Sequence, residues 1–169
     1  GLQTLEDHAG NVVTMSMFAG GAAPYDDIID ADPGNGTYLI SDQFNSEQGC
    51  LIQKLDKYGN FLWAFHISSS WMDLFKIAVD GNNNIFIFGN IQTSADLDPG
   101  PGYQNTTGNF IVKYDPAGHY LWSWSCPNSF SYLTNIAIDD TANVYFVGHV
   151  DTVTDIDPSP AVVTITSTQ

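Results

Sequence analysis

Shifted by 59 residues, this chain falls on itself without a gap, and that internal repeat constrains its fold more than any other feature. Leu62 and Trp63 land on Leu121 and Trp122, and Ile77, Ala78 and Asp80 land on Ile136, Ala137 and Asp139. Asn84 and Gly89 land on Asn143 and Gly148. Asp96, Asp98, Pro99 and Pro101 land on Asp155, Asp157, Pro158 and Pro160. A fixed period of this kind marks an array whose units bury their faces against one another. A stretched earlier copy precedes it. The segment from Asp7 resembles those from Asp80 and Asp140, and DADPG at Asp30 resembles DLDPG at Asp96. Insertions fall around Gly20 to Asp27 and Tyr38 to Gln48. The chain therefore reads as one repeat domain over 1–169, with approximate units 1–48, 49–107 and 108–169. The first unit carries insertions and the last is incomplete.

Each period decodes into short strands. In Leu51 to Phe65 two strands flank Asp-Lys-Tyr-Gly-Asn, and in Phe110 to Trp124 they flank Asp-Pro-Ala-Gly-His. An Asp at the turn start and Gly59 or Gly118 at positive φ fit a hairpin loop with a bulge. A third strand is expected at Phe75 to Val79 and Thr134 to Ile138. A fourth, Ile85 to Phe88 and Val144 to Val147, is apolar throughout and is expected to be covered on both faces. No stretch keeps an apolar spacing of three and four, so essentially no helix is expected. The fold class is all-β: tandem four-stranded antiparallel sheets, about three blades of a partial or open β-propeller. A β-sandwich would explain the short strands but not the ungapped repeat.

Composition then narrows the partners. Acidic residues number 19 against four lysines (Lys54, Lys57, Lys76 and Lys113) with no arginine, for a net charge of −15. Nucleic acid needs Lys or Arg to displace its counterions and is excluded as a partner. No polybasic stretch holds an anionic membrane, and no apolar run is long enough to insert into one. The acidity either attracts cations or keeps a sticky β-protein soluble. A hydrophobic content of 43% speaks for a folded body beneath it. Without a signal segment and starting at Gly1, the chain looks like a mature or trimmed product. Cys50 and Cys126 occupy different repeat positions, so pairing across units and two free thiols both stay open.

The pattern FIVKYDPAGHYLW, then IAIDDTANVYFVGHV, then DLDPGPG resembles the bacterial SBBP-type repeats of seven-bladed propellers. The resemblance covers nearly the whole chain. It implies a propeller fold in a secreted or cell-surface protein, and no particular activity. Such propellers have more blades than 169 residues supply, so the resemblance implies a longer parent chain or an assembly of copies.

Candidate chemistry centres on the repeated acidic loop: Asp30 and Asp32, Asp96 and Asp98, Asp155 and Asp157. Two carboxylates one residue apart, bent by Pro-Gly, are suited to converge on a hard cation such as Ca²⁺. The competing reading is a solvated turn in which Asp caps backbone N–H groups. His8, His66, His119 and His149 show no zinc-ligand spacing, and no nucleophile or phosphate-loop motif is present. Acid pairs for glycoside hydrolysis are left as a minor reading. The recurrence of Trp63 at Trp122 argues for packing between units, whereas Trp71, in a polar loop, is the candidate ligand-binding aromatic. Asn35-Gly-Thr37 and Asn105-Thr-Thr107 are glycosylation-type sequons expected at the surface.

The expected function is a non-enzymatic extracellular or cell-surface scaffold for assembly or adhesion, with Ca²⁺ as a stabilising ion. A carbohydrate-binding module is the alternative, with a polysaccharide hydrolase or lyase behind it. The repeat phase opens in the middle of a blade near Asp7 and lacks the lysine-aspartate hairpin after Val162 to Thr166. The expected partner is therefore another segment of a parent chain or a second copy, covering an incomplete blade; glycans are the other class.

Overall fold

Among the described residues, five copies of one turn organise the chain. Each starts with Asp (Asp7, Asp56, Asp80, Asp115, Asp139) and ends four residues later in Asn or His. In each, carboxylate Oδ1 accepts the N–H of the third and fifth residues, and Oδ2 accepts the side chain of the fifth. The fourth residue takes a left-handed conformation, at φ of 84°, 86°, 63°, 87° and 66° for Gly10, Gly59, Asn83, Gly118 and Ala142. Its N–H closes back on the Asp carbonyl. The Asp side chain thereby replaces the backbone partners that a tight turn leaves unmet.

The computed structural model describes residues 2–19, 28–41, 48–69, 71–125, 130–150, 153–155 and 163–166. In chain order the strands are β1 (Leu2–Glu6), β2 (Val12–Ala19), β3 (Ile28–Asp30), β4 (Leu39–Ser41) and β5 (Gln48–Leu55). Then come β6 (Phe61–Ser69), β7 (Met72–Val79), β8 (Ile85–Asp96), β9 (Asn105–Tyr114) and β10 (Tyr120–Ser125). The last four are β11 (Phe130–Ile138), β12 (Val144–Val150), β13 (Val153–Asp155) and β14 (Thr164–Thr166). All pairings are antiparallel, and no helix occurs among the described residues.

Two sheets have four strands, ordered β1-β2-β5-β6 and β7-β8-β9-β10. A third pairs β11 with β12, and the acidic segments form the small hairpins β3–β4 and β13–β14. The 59-residue period and the sheets are out of phase: residues 49–107 supply most of β5 and β6 to one sheet, then β7 and β8 to the next.

The sheets stack face to face. Val13, Met15, Cys50, Ile52 and Ile67 of the first sheet meet Ile77, Ile85, Ile87, Phe110, Val112 and Tyr114 of the second. On its other face the second sheet sets Phe86, Phe88 and Ile111 against Ile136, with Ile138, Val144 and Phe146 packed around them. The leading strands of the three sheets run side by side. Gln3 Oε1 accepts the Ile77 N–H at 3.1 Å, and Lys76 Nζ donates to Asn135 Oδ1 at 2.6 Å. This is the arrangement of consecutive propeller blades.

Residues Ile85 to Phe88 are buried on both faces, as the apolar run implies. In β12 that expectation fails. Val144 and Phe146 pack against the second sheet, but Tyr145 is 59% and Val147 65% exposed. An apolar run reports what a strand is able to bury, not how many sheets lie beside it; among the described residues β12 has a neighbouring sheet on one face. Cys50 is a buried free thiol, and burial pushes its pKa up to about 12; Cys126 lies outside the described residues.

Candidate functional site

The acidic hairpins are wedges built by their own carboxylates. Asp96 Oδ1 accepts the N–H groups of Asp98 and Gln104, and Asp98 Oδ1 accepts that of Gly100. Asp30 Oδ1 does the same for Asp32 and Tyr38, and Asp32 Oδ1 for Gly34. The residue between each pair of acids turns inward, so that Ala31 is 2% and Leu97 0% exposed. Its carbonyl is then pinned by a side chain of the sheet: Gln53 Nε2 donates to Ala31 O, and Tyr114 Oη donates to Leu97 O at 2.8 Å. Gly36 and Gly102 leave room for Oδ2 of Asp32 and Asp98, where a Cβ would collide with the carboxylate. The wedge of the second sheet fills the first interface with Ala95 and Leu97, while β3–β4 covers the outer face of the first sheet around Ala64.

These four acids thus hold backbone. Among the described residues no group of three His, Cys, Asp or Glu side chains converges to hold a metal ion. Asp155 pairs with Thr164 as Asp96 does with Asn105; its side chain, and all of Asp157, lie outside the described residues. Asn35 and Asn105 are both exposed, Asn35 in the wedge loop and Asn105 opposite Asp96.

A second feature carried no assignment in the sequence. Lys54 Nζ lies 2.8 Å from Asp7 Oδ2, with side-chain exposures of 3% and 0%, and Lys113 Nζ lies 3.0 Å from Asp80 Oδ2, at 12% and 0%. Each lysine reaches from the third strand of its sheet under the turn that joins the first two. The signal was available: Lys54 and Lys113 are repeat counterparts set among apolar residues, where a cation requires a partner.

Burial pushes the Asp7 carboxyl up, but hydrogen bonds from Lys54, from the Asn11 side chain and from the N–H groups of Asn11 and Ala9 outweigh it and hold the pKa at about 2. Asp80 is lowered in the same way, against burial, by Asn84 and Lys113. A carboxyl depressed on folding contributes stability that is present above its unfolded value, near 3.9, and is lost as pH falls through the folded value. Urea titrations should therefore show constant stability from neutral pH down to about pH 4 and a steep loss between about pH 4 and 2. Lys54→Met should flatten the Asp7 part of that loss.

The aromatic candidates separate. Trp63 is packed between sheets: its Nε1 donates to Pro116 O at 3.1 Å, Phe65 stacks at 5.5 Å, and a Cβ on Gly118 would lie 3.2 Å from the indole. Its counterpart Trp122 is 39% exposed, with the Phe86 ring edge-on at 6.0 Å. Trp71 is 54% exposed at the link into β7, where its carbonyl accepts the Gln92 N–H. A cleft of about 340 Å³ opens between the first two sheets, lined by Tyr38, Trp63, Asp98, Pro99, His119 and Tyr120 among others. Trp71 is not part of it.

A stack of antiparallel sheets, two of them four-stranded among the described residues, each beginning beside the first strand of its neighbour, agrees with a likeness to a known protein. The chain is 26% identical over 171 aligned residues to an uncharacterized WD repeat-containing protein, L264, of Acanthamoeba polyphaga mimivirus. The repeats are of β-propeller type. The alignment covers 88% of this chain and 12% of the viral protein, so the chain spans about an eighth of that relative. No protein-family model matches the chain, the SBBP type included, and no solved structure matches it.

Proposed function

We propose that this chain is a non-enzymatic β-propeller-type scaffold of the cell exterior, working in assembly or adhesion through the two ends of its stack. The observation that carries the reading is the apolar surface at both ends. Ile28 and Leu39, 59% and 61% exposed, stand on the outer side of the first sheet's wedge; Tyr145 and Val147 stand on the far face of the third sheet. Different surfaces at opposite ends suit a head-to-tail contact, between copies or with further units of a parent chain. A charge of −15 and the exposed sequon residues Asn35 and Asn105 fit an exterior surface.

The cleft supports a second reading, a carbohydrate-binding module, because Tyr38 at its rim is 44% exposed beside Asp98 and His119. Glycan arrays and a polysaccharide hydrolysis panel separate the two. The scaffold reading expects neither binding nor turnover, whereas retention of a sugar that Tyr38→Ala abolishes would favour the second.

Calcium has its own test. With Oδ1 of Asp30, Asp32, Asp96 and Asp98 committed to backbone N–H groups, the melting temperature should be the same in chelator and in millimolar Ca²⁺, the range of extracellular calcium modules. A rise with Ca²⁺ that Asp98→Asn removes would assign the remaining oxygens to the ion.

A further inference from the structure

Two side chains of the first sheet converge on one carbonyl of the second. Lys54 Nζ and Trp63 Nε1 both donate to Pro116 O, in the turn between β9 and β10, and Gly118 of that turn lies against the indole. The repeat counterparts of these two are Lys113 and Trp122 in the second sheet. Lys113 Nζ has its Asp80 partner and the Phe86 ring at 4.8 Å, but Trp122 Nε1 has no hydrogen-bond acceptor among the described residues. The third sheet departs from the others in the same place. Asp7 and Asp80 hold a buried lysine, whereas their counterpart Asp139, beyond Thr141 and Asn143 of its own turn, accepts the hydroxyl of the exposed Tyr145 at 3.2 Å and meets no lysine among the described residues.

All these positions lie on the side of the third sheet where, among the described residues, β12 pairs with β11 alone. In the second sheet, Phe86 of β8 pairs with Lys113 of β9; the counterpart of Phe86 is Tyr145 of β12. A strand placed beside β12 in that register would bring a lysine opposite Tyr145 and within reach of Asp139. The turn that follows would lie over Trp122. We propose that the third sheet is completed by a hairpin of the β9–β10 type from a further copy of the repeat, its lysine closing on Asp139 and its turn carbonyl accepting from Trp122 Nε1 and Lys113 Nζ. The partner is thus defined by chemistry: an extended Ile-Val-Lys-Tyr-Asp strand followed by a Pro-Ala-Gly-His turn. The Asp139 carboxylate, in the turn between β11 and β12, selects the cation, and the exposed indole selects a glycine turn.

This rests on the scaffold reading above and deepens it. The test extends the chain after Gln169, the counterpart of Phe110, with the sequence of residues 111–125, so that the third appended residue is the lysine. The expected result is a melting temperature at least about 5 °C higher and reduced acrylamide quenching of Trp122, assigned through Trp122→Phe. Methionine at the third appended position should forfeit about half of the gain. Asp139→Asn costs the unextended chain the two bonds that Oδ2 accepts from Asn143 and Tyr145, and should lower the melting temperature of the extended chain by several degrees more than that. A peptide of residues 108–125 added in trans gives a second readout, with the lysine form binding at least about tenfold more tightly than the methionine form. Equal behaviour of the lysine and methionine forms overturns the proposal, as does equal cost of Asp139→Asn in both chains. Shielding of Trp122 that grows with the concentration of the unextended chain would make a second copy the occupant and also overturn it. None of these failures touches the scaffold reading, which is judged separately by end-to-end association.

Discussion

Lys113→Met is expected to lower the unfolding free energy by about 3–5 kcal/mol in urea denaturation, the usual cost of stranding one member of a buried ion pair. Methionine keeps most of the packing volume, so the loss isolates the charge. Asp80, with a side chain fully buried, would be left with the Asn84 and Asn82 hydrogen bonds of its turn and no counter-charge. Adding Asp80→Asn should recover part of the loss, because a neutral amide no longer needs the ammonium. Lys57→Ala, on an exposed turn, should change stability by no more than about 0.5 kcal/mol. A cost below about 1 kcal/mol for Lys113→Met would mean that water reaches Asp80 freely, and the pair would not be a fixed part of the sheet. The same experiment at Lys54 should cost at least as much, since that side chain also holds Pro116 O of the next sheet.

Gly118→Ala is expected to be the costliest of the turn substitutions, and Gly59→Ala is its internal control. Both residues sit at nearly the same positive φ, 87° and 86°, in the same turn. Alanine pays a conformational penalty of about 1–2 kcal/mol at either position. Around Gly59 a Cβ meets nothing within 4 Å, whereas at Gly118 it would press on the Trp63 ring at 3.2–3.3 Å. Displacing the indole loosens the Trp63 bond to Pro116 as well as the stacking on Phe65. Gly118→Ala should therefore cost about 1–2 kcal/mol more than Gly59→Ala, and Gly118→Val more again. Equal costs would show that the contact between sheets contributes nothing beyond the turn itself.

These turns also show how much of the fold is legible in the sequence. The repeat, the strands and the positive φ at Gly59 and Gly118 were legible because they depend on local chemistry. The unity of five turns was missed, although Asp followed at the fifth position by Asn or His recurs at Asp7, Asp56, Asp80, Asp115 and Asp139. Two of them carry Asn83 or Ala142 instead of glycine at the left-handed position, which hid the pattern. In the acidic loops the spacing of carboxylates matched a cation site, but the apolar residue between them was the better clue. Ala31 and Leu97 point into the core, and that orientation commits the flanking acids to the backbone. The exposure of Tyr145 was not legible at all, since a strand's sequence does not record whether another sheet lies beyond it.

The proposed scaffold is an open stack whose apolar surface at both ends belongs in an interface. Light scattering across a concentration series measures it most directly. The expected mass exceeds 18.4 kDa and grows with concentration, and is reduced toward that value by Leu39→Asp or Tyr145→Asp. A chain that stays at 18.4 kDa at every concentration, with or without those substitutions, would contradict it.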